Sequence, residues 1–182
     1  AGRVHYLPVN LGEIPDYYRR FIPPVDIVVL KTCRIDEHGY FNFSAANLWH
    51  RDIIERARVV MVEITDGLPY VFGVNNGVHI SEVDYIIEGD NQPAPVLPNP
   101  SASEVDIAVG KLIAAEIEDG SCLQIGIGGM PNAVCEQLLH SNARDLGVHS
   151  EMLTEGMMAL YHAGKITNAR KQLHTGKMAF SF

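Results

Sequence analysis

The chain has 182 residues, 47% hydrophobic and 20% charged, a balance typical of soluble globular proteins and long enough for one domain or two small ones. A formal charge of -8 argues against a nucleic-acid role, because phosphate binding needs clustered Lys and Arg. No apolar run approaches the roughly 20 residues of a membrane span, and Ala1-Gly2-Arg3-Val4-His5-Tyr6 carries no signal-peptide hydrophobic region.

In chain order, Val4 to Val9 alternates weakly and reads as a strand. Leu11, Ile14, Tyr17, Tyr18 and Phe21 fall at helical spacing, with Arg19 and Arg20 near the end where the helix dipole favours cations; Pro23-Pro24 stops that helix. Val25-Asp26-Ile27-Val28-Val29-Leu30 is the near-continuous β-branched run of a strand buried on both faces of a parallel sheet. Asp36 to Gly39 forms a turn before the strand-like Tyr40 to Phe43, and Ala46 to Ala57 reads as a helix carrying Trp49. Val59 to Ile64 is another buried strand. A loop from Thr65 to Gly77 follows, too long and apolar to be idle, and Asp84 to Glu88 closes this half as a strand.

Between Asp90 and Pro100 lie four of the chain's ten prolines, a composition that makes extended, semi-rigid linkers. The expected organisation is therefore a first α/β domain over residues 1–90, a linker over 91–102 and a second α/β domain over 103–182. In the second, Ser103 caps a helix with Asp106 at the capping-box position, and that helix runs to Asp119. Ser121 to Ile127 reads as a strand and Leu146 to His149 as the next. The helix between them opens at Pro131, and Thr154 caps another that ends at Gly164. The β-α order on both sides of the linker predicts an α/β protein with largely parallel sheets.

Two stretches carry chemistry. Gly126-Ile127-Gly128-Gly129-Met130-Pro131 lacks the third glycine of a dinucleotide fingerprint and the Gly-Lys-Ser/Thr of a P-loop. Its glycines and the helix opening behind it suit either a phosphate or the oxyanion of an attacked thioester; the bland alternative is a tight strand-to-helix turn with no ligand. Glu151 follows the next strand, and ligands of open α/β sheets bind outside the carboxyl ends of strands. A Glu in that position is ordinarily a solvated charge. Glu155, the competing carboxylate, falls just after Thr154 as a routine helix-start acid. Ser150 and His149 do not form a catalytic pair, since neighbours along a strand point to opposite faces, and no GxSxG elbow is present. Cys33, Cys122 and Cys135 form no CxxC pair and read as reduced, buried thiols of a cytoplasmic protein. The eight histidines show no HxH or HxxxH spacing, so no metal site is expected. The chain opens without Met and stops within an apparent strand, Lys177 to Phe182, so a segment of a longer protein is expected.

Three motifs together, Gln124-Ile125-Gly126-Ile127-Gly128-Gly129-Met130-Pro131-Asn132-Ala133-Val134, Asp145-Leu146-Gly147-Val148-His149-Ser150-Glu151-Met152 and Gly164-Lys165-Ile166-Thr167-Asn168, resemble the acetyl-CoA hydrolase/transferase family. The branch they look closest to is the 4-hydroxybutyrate and butyrate CoA-transferases, and Val4 to Val9, Asp36 to Tyr40 and His79 to Ile86 agree with it. The resemblance implies two open α/β/α domains of the CoA-transferase type, incomplete in this chain, with the active site at their junction. It implies that Glu151 forms a covalent CoA thioester. Gly126, Gly128, Gly129, Met130, Pro131 and Asn132 would line the CoA side, with the Asp66–Gly77 loop a candidate wall. It further implies coenzyme A and acyl-CoA as substrates rather than bound cofactors, a short-chain carboxylate as co-substrate, and a cytoplasmic homodimer with no nucleic-acid or membrane partner. A hydrolase using the same glutamate, or a non-catalytic CoA-binding fragment, are the alternatives.

Overall fold

A computed structural model describes Gly2 and residues 6–181. The chain divides into two compact units, residues 1–94 and residues 95–182.

In the first unit, the strand expected over Val4 to Val9 begins at residues outside the described ones, and Tyr6 to Asn10 has no regular structure. Helix α1 (Ile14–Phe21) follows a single 3-10 turn, with Pro15 and Asp16 in its first turn and Arg19 and Arg20 in its last. Strands β1 (Val25–Thr32), β3 (Ala57–Ile64) and β5 (Tyr85–Glu88) form a parallel sheet in the order β1-β3-β5. The register sets Val28 beside Val60, Leu30 beside Val62 and Thr32 beside Ile64, and all six side chains are buried on one face. Phe41 of β2 (Tyr40–Asn42), Phe43, Ile54 of α2 (His50–Ile54) and Val78 of β4 (Gly77–His79) pack onto that same face. Growth of the sheet in one direction through right-handed crossovers puts both connections on one side. The other face is therefore left open, with Ile27 53% and Val29 58% exposed. This corrects the expectation that β1 is buried on both faces. Helix α2 is also five residues long rather than twelve, starting at His50 only after irregular backbone and a bend over residues 46–49. The end of the Thr65–Gly77 loop is strand β4, which pairs antiparallel with β2.

The second unit begins with an irregular stretch that lasts until Ser103 caps α3 (Glu104–Ala115) through a capping box with Asp106. This helix stops four residues before the expected Asp119. Strands β6 (Cys122–Leu123) and β7 (Gly147–Val148) pair in parallel and are far shorter than the runs expected from sequence. Single parallel bridges, Leu146 to Ile166 and His149 to Ala179, continue the sheet. Helices α4 (Gly129–His140) and α5 (Glu155–His162) complete the unit, the latter capped by Thr154 Oγ1 accepting from Met157 N. Leu138, Leu146, Val148, Met157 and Leu160 are fully enclosed at its core. The α/β class and the parallel pairing expected from sequence are both present.

Candidate functional site

The second unit brings two strand ends together. The His149 N–H donates to Leu123 O at 3.0 Å, holding β7 beside β6 past their formal ends. One residue further, the buried Ser150 hydroxyl donates to Ile125 O at 3.3 Å and accepts from Ile125 N at 3.4 Å. Gly126 and Glu151 are the residues that immediately follow this joined pair. Both thus leave the carboxyl ends of neighbouring parallel strands, the place where open α/β sheets bind ligands.

Glu151 lies in an exposed bend. Its backbone carbonyl accepts from Ser181 N at 2.9 Å, and among the described residues its carboxylate has no hydrogen-bond or ion-pair partner. Glu155 differs. It sits in the first turn of α5 and accepts a hydrogen bond from the Asn99 amide. Of the two acids the sequence offered, one is engaged in structure and the other faces solvent.

The glycine stretch divides by function. A Cβ at Gly126 would meet nothing within 4 Å, so the backbone there borders open space. Gly128 caps α4 at φ 134, a conformation that L side chains rarely adopt. At Gly129 a Cβ would stand 2.7 Å from an Asp106 carboxylate oxygen, so this glycine exists to admit the start of α3. The helix opens at Gly129, two residues before the expected Pro131, and Gly129, Met130, Pro131 and Asn132 form its first turn. Asn132 N is bonded to Gly128 O at 3.1 Å, while the N–H groups of Gly129 and Met130 precede the first intrahelical bond and emerge at the positive end of the helix dipole. The Asn132 side chain donates to Asn99 Oδ1 at 2.6 Å and to Pro100 O at 3.0 Å, which ties the helix start to the Pro-rich segment. Ile127, expected as the last residue of a strand, lies beyond β6 and stands 58% exposed between Gly126 and Gly128.

Two residues behind the site have roles that the sequence does not assign, Asn168 from the third motif and Lys171 beyond it. Asn168 is buried at φ 57, and its Oδ1 accepts from Val148 N at 2.9 Å. Lys171 donates to Val148 O at 2.7 Å. An Asn in the left-handed region is a usable signal, since few other residues adopt it without strain. Nothing local marks the lysine.

The remaining nucleophiles are occupied or remote. Ser150 is committed to Ile125, and His149 is exposed. Burial pushes the Cys135 thiol up to about 11 and raises that of Cys33, which leaves both as inert packing groups. Cys122 is exposed, contrary to the expectation of three buried thiols, because the short β6 turns it outward. Among the described residues, no three His, Cys, Asp or Glu side chains gather as a metal site, and no helix is long and apolar enough to cross a membrane. In the first unit, Tyr70, Phe72, Asn75 and Asn76 of the long loop line a cleft of about 520 Å³ with Asp36 and Arg51. That loop is fixed by Asn42, whose amide donates to Val71 O at 2.9 Å, and by Ser44, whose hydroxyl donates to Pro69 O at 2.7 Å.

Comparison with known proteins bears on this arrangement. Residues 1–98 match the family model described as acetyl-CoA hydrolase/transferase N-terminal domain. Over its full length the chain is 42% identical to butyryl-CoA:acetate CoA-transferase of Anaerostipes caccae, of which it covers 41%. It is 36% identical, again over its full length, to 4-hydroxybutyrate coenzyme A transferase of Clostridium kluyveri, covering 42% of that protein. The crystal structure of 4-hydroxybutyrate CoA-transferase from Porphyromonas gingivalis superposes with a TM-score of 0.87 at 35% identity, over 98% of this chain and 45% of that one. The chain thus spans about two fifths of the length of the curated relatives it matches. With more than half of its residues matched by the family model and full-length similarity to named CoA-transferases, the chain belongs to the acetyl-CoA hydrolase/transferase family.

Proposed function

We propose that this chain carries the nucleophile of a CoA-transferase that moves CoA from an acyl-CoA to a small carboxylic acid of the acetate, butyrate or 4-hydroxybutyrate class. The observation that carries the proposal is the exposed Glu151, its carboxylate without a partner among the described residues, one residue beyond the Ser150–Ile125 pair and beside the open backbone of Gly126.

The chemistry follows from a carboxylate in that position. The Glu151 carboxylate attacks the thioester carbonyl, the C–S bond breaks, and CoA leaves as its thiolate from an acyl-glutamyl anhydride. The thiolate then attacks the Glu151 carbonyl and expels the donor acid, giving a glutamyl-CoA thioester. An incoming carboxylate attacks that thioester and again releases the thiolate from an anhydride. Attack of the thiolate on the acyl carbonyl forms the new acyl-CoA and restores Glu151. Two half-reactions through one covalent enzyme form give ping-pong kinetics. No general base is needed, because the attacking group is a carboxylate rather than a hydroxyl that must first give up a proton. The exposed N–H groups at the start of α4, with Gly126, Gly128, Gly129, Met130, Pro131 and Asn132 around them, suit the negative oxygen of each tetrahedral step or a CoA phosphate. Gly126 is the best placed to meet the ligand, whereas Gly129 and Asn132 shape the loop from behind.

Transfer is preferred to hydrolysis because both curated relatives named above are CoA-transferases. A cytoplasmic homodimer belongs to the same reading, and sedimentation of the full-length protein checks the dimer. The central test is Glu151→Gln in the full-length protein, read by mass spectrometry after acyl-CoA exposure and by transfer to acetate. The expected result is loss of both the CoA adduct and turnover with the fold intact. An adduct that survives the substitution assigns the nucleophile elsewhere.

A further inference from the structure

The Glu151 bend is flanked on its second side by the 177–181 segment. Ala179 N donates to Val148 O at 3.1 Å, Ser150 N to Ala179 O at 2.9 Å, and Ser181 N to Glu151 O at 2.9 Å. The first two hold the residues that lead into the bend and the third reaches the glutamate itself, so its backbone position is only as well defined as that segment's. One side chain joins the two. Lys171 Nζ donates to Val148 O at 2.7 Å and to Lys177 O at 2.7 Å, one acceptor on β7 and the other at the start of the flanking segment. Its stem is seated as well: a Cβ at Gly147 would come 2.7 Å from Lys171 Cγ, so the glycine makes the channel through which the lysine passes. The residue is half-buried, and both acceptors named are backbone carbonyls rather than a carboxylate. An ammonium has three donors on a rotatable head, which suits it to join two carbonyls of different segments.

We propose that Lys171 is a positioning residue for Glu151, a clamp that joins the strand leading into the nucleophile to the segment that flanks it. The proposal rests on the reading of Glu151 as the group that forms the CoA thioester. Its physical basis is that a nucleophile must meet the thioester carbonyl within a narrow geometry, and a displacement of about 1 Å costs about a hundredfold in rate. Loosening the clamp therefore slows attack without removing any contact to the substrate.

The test compares K171M, K171R and E151Q in the full-length protein. Under single turnover with acyl-CoA, the growth of the glutamyl-CoA adduct is followed by intact mass, alongside kcat, KM and the melting temperature. K171M is expected to slow adduct formation and kcat by about a hundredfold, with KM changed less than threefold. K171R, which keeps two donors for the two carbonyls, is expected to recover part of the rate. A purely architectural lysine would lower the melting temperature and leave the adduct rate per folded molecule at the wild-type value, and that result overturns the clamp. Where K171M does not fold, K171Q is read instead, since its amide reaches at most one of the two carbonyls: a slowed adduct supports the clamp and a wild-type rate overturns it. E151Q separates the two levels. An adduct still formed by E151Q overturns the nucleophile assignment, whereas a silent E151Q beside a fully active K171M overturns the clamp alone.

Discussion

The two units solve the same problem, holding parallel strands together, by different means. In the first, β1 and β3 pair over a long register and bury Val28, Leu30, Val60, Val62 and Ile64 in one continuous face, so apolar patterning specifies the sheet. In the second, β6 and β7 share two residue pairs extended by a few backbone bonds, and side chains reinforce β7 on both sides: Ser150 bonds Ile125, Asn168 and Lys171 bond Val148, and Lys171 also bonds Lys177. Long apolar ladders are tolerant of local change, whereas short strands stitched by polar side chains depend on single residues. The stitched unit is the one that presents Glu151.

Substitutions test that contrast in order of size. Phe41→Ala in the first unit and Leu160→Ala in the second each empty a fully enclosed site and should cost about 3–5 and 2–5 kcal/mol respectively, read from denaturant midpoints. Equal sensitivity is expected here, because both units have an apolar core. The difference appears at the polar positions. Asn168→Ala strands the Val148 N–H and places alanine at a left-handed φ, and should cost about 2–3 kcal/mol. Asn168→Gly relieves the backbone strain alone and should recover only part of that. If Asn168→Ala behaves like an ordinary surface change, the stitched description of this unit is wrong. Ser103→Ala removes the hydroxyl that accepts from Asp106 N and donates to the Asp106 carboxylate, leaving the Ser103 N–H bond to that carboxylate, and should cost about 1 kcal/mol. The exposed Arg58–Asp26 pair of the first unit is at the bottom of the scale, and Arg58→Ala should leave the midpoint unchanged.

One pH effect belongs to the first unit. His50 packs against Phe43 with ring centroids 4.9 Å apart, and its Nδ1 accepts from Leu48 N at 3.4 Å. Burial lowers its pKa below the ordinary value of about 6.5. The unfolded chain therefore binds the proton more readily than the folded one. The stability contributed by the neutral ring is complete above pH ~6.5 and is lost as pH falls through that value toward the folded-state pKa. His50→Phe should flatten this part of the stability profile, measured by thermal melts between pH 5 and pH 8.

The same contrast explains what could be read from the sequence. Strands β1 and β3 were legible because β-branched runs declare themselves, although the uncovered face of β1 depends on the direction of sheet growth and is invisible locally. Caps at Ser103 and Thr154 were legible because capping is a local hydrogen bond. Strand β4 was not, since Gly77–His79 gains its identity only by pairing with β2 across the long loop. Glu151 stood out because it follows a strand end in the β-α unit next to the glycine stretch, and the resemblance then supplied a role for a residue whose own surroundings also fit a solvated acid. Asn168 and Lys171 act on Val148 from 20 and 23 positions away, and no periodicity carries such a contact.

Gly129 has a consequence for anyone exchanging this glycine-rich segment between members of the family. Its missing side chain accommodates the Asp106 carboxylate and the backbone at Ser101 and Ala102, so the Gly126–Asn132 segment is fitted to the start of α3 as closely as to any ligand. A segment transplanted from a relative without its own 99–106 region brings a mismatched seat, and the graft unit is therefore the loop together with that helix start.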